Sequence, residues 1–177
     1  MSISLYDALV PSWLQILQSV RGLLDKTESW AAEQGLTESE ILNARLIDDM
    51  LPLSFQIAAV ANHSHGAVEG VRKGIYSPNP SAKAPAAIAD LKALIDAAIE
   101  GLNAVTAEEM EGFIGRDMRF SLPAMNLDLP FTAENYFLSF AQPNFYFHAT
   151  TAYDILRGMG VELGKANFLG PVRIKAN

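Results

Sequence analysis

Apolar residues recur every three or four positions along most of this chain, and that period admits helices and little else. Trp13, Leu14, Leu17, Val20, Leu23, Leu24 and Trp30 keep the step, and Gly35 then supplies a C-terminal stop. Pro11 either opens this first helix or kinks a longer one. Pro52 suits the first turn of a second long helix with Leu53, Ile57, Val60, Val68 and Val71 inward and Gly74 at its end. A third helix is expected to begin near Pro85, with a stripe of Ile88, Leu91, Leu94, Ile95, Ala98, Ile99 and Leu102. The last runs from a Thr132 cap to Gly158 or Gly160. Four long amphipathic helices with short accessory pieces predict an all-α, four-helix bundle over residues 1–177, a single domain.

The interruptions carry as much information as the stripes. Thr37-Glu38-Ser39-Glu40 and Thr106-Ala107-Glu108-Glu109 are capping boxes, each opening a short helix. Residues 75–84 read as a loop, which extended spans roughly 33 Å. The second and third helices can therefore be joined by a crossover as well as by an antiparallel turn. Arg119-Phe120-Ser121-Leu122 and Leu127-Asp128-Leu129 flank Pro123-Ala124-Met125-Asn126, predicting a small β-hairpin before the last helix, with Pro130 weakening its second arm. Pro143 falls inside the last helix. It lacks a backbone donor and crowds the carbonyl four residues back, so a kink or bulge is expected before His148.

Half the residues are hydrophobic and only 19% are charged, an excess that must fill a thick core or a subunit interface. The net charge of −7 argues against nucleic acid and against anionic membrane surfaces as partners. Without cysteine there is no disulfide framework, thiol nucleophile or Cys-ligated metal. No secretory-type leader and no spanning apolar run is evident, so a cytoplasmic protein is expected. Gly164-Lys165 lacks both the glycine spacing and the Ser/Thr of a phosphate loop.

Chemistry is left to three histidines. His63 falls on or beside the inward stripe of the second helix, and Asp49 and Gln56 share its line at seven-residue steps. His65 is roughly 200° further round and should face solvent or a rim. His148 follows Phe145 by three residues near the buried face of the last helix, and Asn144 stands one turn before it on the same side. Tyr146 and Tyr153 are candidate phenols on that helix.

The run Pro143-Asn144-Phe145-Tyr146-Phe147-His148-Ala149-Thr150-Thr151-Ala152-Tyr153-Asp154-Ile155-Leu156-Arg157, with Gly160 to Lys165 and Phe168-Leu169-Gly170 after it, resembles the C-terminal signature of an uncharacterised bacterial domain family. Asp49-Met50-Leu51-Pro52-Leu53, Gln56 and Asn62-His63 resemble its second-helix pattern. That family is related to the DinB/YfiT-like bundle proteins. The resemblance implies a bundle of up-down-down-up order, often a homodimer. It also implies three histidines on a divalent metal (Zn, Ni or Fe), one from the second helix and two spaced by four on the last. Some relatives are thiol-cofactor-dependent transferases or isomerases. Here His63 and His148 match metal positions, while the third is Asn144 or Ala152. Two imidazoles and an amide fall short of the three strong ligands that such sites use.

Two functional readings stand beside each other. In one, a small molecule undergoes metal- or thiol-assisted transfer or isomerisation, with His148, Asn144, Tyr146 and Tyr153 as catalytic candidates and His63 and His148 as metal ligands. In the other, the protein is a non-catalytic small-molecule binder or dimeric scaffold that keeps its histidines without a metal. Both rest on the rings of His63 and His148 meeting in one cavity.

Overall fold

The computed structural model describes residues 3–79 and 85–175. Ser4 accepts a hydrogen bond from the Asp7 amide and opens α1 (Leu5–Gln34), so the helix starts before Pro11, which lies inside it. Gly35, in the left-handed region at φ 68°, closes it. Thr37 and Glu40 form the reciprocal capping box of α2 (Glu38–Leu42). Pro52 precedes α3 (Leu53–Asn62) as its N-cap.

The second long helix is not continuous to Gly74. It ends at His63 and resumes as α4 (His65–Lys73). Ser64 explains the break: it is buried, and its Oγ donates back to the Val60 carbonyl at 2.8 Å. A side chain that bonds the preceding turn competes with the helical ladder. Gly74 then closes α4 as expected, at φ 72°.

The expected loop at 75–84 begins instead with a strand, β1 (Ile75–Tyr76), and its residues 80–84 lie outside the described residues. After it come α5 (Ile88–Asn103), starting three residues later than Pro85, and α6 (Ala107–Gly112), capped by Thr106. The hairpin forms as β2 (Asp117–Leu122) and β3 (Leu127–Thr132), and β1 adds to β2 in parallel, pairing Tyr76 with Phe120. Pro130 sits opposite Arg119, whose N–H points the other way, to the Gly74 carbonyl. The edge strand therefore tolerates a residue without a donor.

Thr132 precedes α7 (Ala133–Asn135) without a side-chain cap bond. A π-turn spans Tyr136–Ala141, in which the Gln142 amide reaches the Phe137 carbonyl five residues back. Next come α8 (Gln142–Met159), closed by Gly160, and α9 (Lys165–Leu169). The expected bulge is this π-turn, placed just ahead of Pro143.

The fold is mostly helical with a small three-stranded sheet. Helix α1 packs on α5 and α8, and α3 packs on α5 and α8. One continuous core runs between them, with Trp13, Phe137 and Phe145 fully buried. Gln15 and Arg173 tie the C-terminal segment back onto α1. Among the described residues no helix is long and apolar enough to cross a membrane.

Candidate functional site

The two imidazoles singled out by the sequence meet. The rings of His63 and His148 lie nearly parallel, 10° apart in plane, with centroids separated by 5.5 Å. His63 hangs from the end of α3 because Ser64 breaks the helix there. His148 projects from α8 across the α3–α8 contact.

Gln56 determines the state of His148. Its amide nitrogen donates to the Leu51 carbonyl at 2.9 Å, which leaves Oε1 facing His148 Nδ1 at 2.7 Å. An amide oxygen only accepts, so Nδ1 carries the proton and Nε2 of the neutral ring holds a lone pair. Burial lowers the pKa of His148 to about 4. Burial, and secondarily the charge of a protonated His148, lower that of His63 to about 4 as well. Both rings are neutral at pH 7.

A cavity of about 630 Å³ opens beside the pair, in the size range of small-molecule sites. His63, Asn62 and Ala58 on α3, Tyr76 on β1, Phe120 on β2, and Phe140 and Asn144 at the π-turn and the start of α8 all line it. His148 is not a lining residue; it stands behind His63, edge-on to Phe55 with centroids 5.9 Å apart. None of the described lining residues is Asp, Glu, Lys or Arg. Nδ1 of His63 is buried and has no hydrogen-bond partner. The hydroxyl of Tyr136, fully buried and 6.4 Å in ring centroid from Tyr76, has none either. A larger groove of about 770 Å³ lies elsewhere, among exposed residues of α1 such as Asp25, Lys26 and Glu33, and holds none of the histidines.

Of the remaining candidates, Asn144 joins the site: it lines the cavity and its amide nitrogen donates to the Phe140 carbonyl at 2.8 Å. Tyr146 and Tyr153 do not line the cavity. Roughly 180–200° around α8 from Asn144, they pack elsewhere, Tyr153 edge-on to Phe168 of α9. His65 rests on α5, where a Cβ on Gly101 would collide with its ring, and it contacts Glu69 at 3.6 Å. Of the helix aromatics that the sequence offers as pocket lining (Phe137, Phe140, Phe145, Tyr146, Phe147 and Tyr153), Phe140 lines the cavity, whereas Tyr76 and Phe120 as walls and Gln56 as the orienting amide were missed. A usable signal was Gly70: a Cβ there would stand 2.9 Å from Cβ of Tyr76, so the glycine is what lets β1 close in.

The donor set fits a divalent metal poorly. Ala152 is buried and offers no donor, and Gln56 spends its oxygen on His148. Among the described residues no group of three His, Cys, Asp or Glu side chains converges. Two imidazoles are one strong ligand short of the usual catalytic zinc site.

The fold of the chain is that of a DinB-like helical protein. Its sequence matches a domain of unknown function, DUF1993, over residues 5–169, and the chain belongs to that family. A crystal structure of a DinB family member protein from Shewanella denitrificans is similar, with a TM-score of 0.78 and 26% identity over 98% of this chain and 96% of that one. Among curated proteins nothing matches.

Proposed function

We propose that this protein binds a small molecule in the cavity beside His63, without a metal, and that its histidines serve recognition before chemistry. The observation that carries this reading is the orphaned Nδ1 of His63, a buried polar atom in a residue that lines a cavity of ligand size. Native structures seldom leave such an atom unpaired, because its desolvation costs about 1–3 kcal/mol. A transferase or isomerase step would need a base that meets substrate. His148, the ring with the defined lone pair, is set back from the lining, and both rings titrate near 4, which makes them weak bases at neutral pH.

The same reading takes the four long segments as a four-helix bundle of up-down-down-up order. The adjacency of α1 with α5 and α8, and of α3 with the same two helices, supports the bundle. It puts the first and second long segments across a diagonal.

Filling the cavity tests the binding function. A thermal-shift screen of uncharged and charged metabolite-sized compounds on wild type and on Ala58→Phe is expected to give stabilising hits that the variant loses. Hits that survive in Ala58→Phe, or a complete absence of hits, would refute it.

A further inference from the structure

The cavity walls specify the class of molecule, given the reading of this cavity as a binding site. Rings form most of the enclosure. Phe120 and Phe140 lie 4.7 Å apart, and His63 stands 5.9 Å from Phe140 and 6.2 Å from Tyr76. Such edges and faces favour a flat ring, by offset-stacked or edge-to-face contact.

Charge narrows the class further. With no ionic side chain among the described lining residues, an ion entering the cavity gives up hydration and gains no counter-charge from them. The chain's net charge of −7 adds a field that repels anions in particular. The polar side chains among the described lining residues are neutral: His63, Tyr76, Ser77 and the amides of Asn62, Asn79 and Asn144. A neutral imidazole has one N–H and one bare nitrogen. Nδ1 of His63 is closed off from the cavity, so the ring nitrogen that a ligand meets is Nε2, which has no protein partner among the described residues either and can pair with a hydroxyl or ring N–H.

We infer that the cavity selects a neutral, flat ring compound bearing a hydroxyl or ring N–H, and discriminates against carboxylates, phosphates and nucleotides.

Three matched probes test this at pH 7 by fluorine NMR on the full chain: 4-fluorophenol, fluorobenzene and 4-fluorobenzoate. The expected order of affinity is phenol first, fluorobenzene about tenfold weaker for want of one hydrogen bond, and benzoate weakest. In His63→Phe the phenol should fall to the level of fluorobenzene. Equal binding of phenol and fluorobenzene to wild type overturns the hydrogen-bond requirement. Benzoate binding as tightly as phenol overturns the neutral class but leaves the cavity a binding site. If none of the three binds, the binding-site reading falls and takes the ligand class with it. Where His63→Phe fails to fold, the order of the three probes on wild type decides alone.

Discussion

His63 and His148 titrate at about 4 in the folded chain, against an ordinary imidazole value of 6.5. Between those values the unfolded chain binds protons that the folded chain refuses. Stability therefore rises with pH across this window, is fully present above it, and stops falling once pH drops below about 4. For one ring, moving from pH 7 to pH 5 removes about 2 kcal/mol, and for the pair about 4 kcal/mol. The comparison is between wild type and the double variant His63→Phe, His148→Gln, by urea unfolding at the two pH values. The carboxylates held low by their partners, among them Asp25 beside Lys92 and Arg21 and Glu109 beside Arg72, are common to both proteins and cancel in the comparison. Wild type should lose about 4 kcal/mol more than the variant. A difference under about 1 kcal/mol would mean that water reaches the rings freely, and the account of two imidazoles kept neutral by burial would be wrong.

Three further outcomes follow from single contacts. Gln56→Leu removes the acceptor of His148 Nδ1 and should cost about 1–3 kcal/mol; nitrogen NMR of the His148 ring should show an Nδ1-protonated tautomer in wild type and lose that preference in the variant. Asn144→His puts a third imidazole one turn from His148, so the variant should keep one zinc per chain through dialysis, measured by elemental analysis, where wild type keeps none; equal zinc in the two would refute the account of the missing ligand. Gly70→Ala drives a methyl into Tyr76 and should destabilise by about 1–3 kcal/mol in urea while weakening probe binding; unchanged stability would show that β1 gives way easily.

The helices were legible because their signals are local. Gly35, Gly74 and Gly160 end helices in the left-handed region, and the Thr37 and Thr106 caps work within four residues. The convergence of His63 and His148 was legible from their inward positions, and Asn144 from its turn. Gln56 was visible only as a residue on the His63 line, because its task joins positions 92 residues apart through α3–α8 packing. Tyr76 was hidden for a related reason: a two-residue strand has no period of its own and forms only because β2 is already there to pair with it. Tyr146 and Tyr153 were attractive by chemistry alone, and helical phase carries them to the far side.

The irregular turns explain how helices with straight apolar stripes come to enclose a cavity. In an uninterrupted helix Tyr136 and His148, twelve residues apart, would lie roughly 120° apart about the axis. A π-turn accommodates one extra residue and takes back roughly 100° of that angle. Tyr136, Phe140, Asn144 and His148 consequently fall on one side, where Phe140 meets His63 and Tyr136 meets Tyr76. Pro143 makes this turn cheap, since its missing N–H already denies the regular bond to the carbonyl four residues back. Across the cavity, the Ser64 break lets α4 turn away from α3 and deliver β1 with Tyr76. His63 thus sits where its helix departs from the α ladder, His148 about two turns beyond the departure in its own, and the space between the two departures is the site.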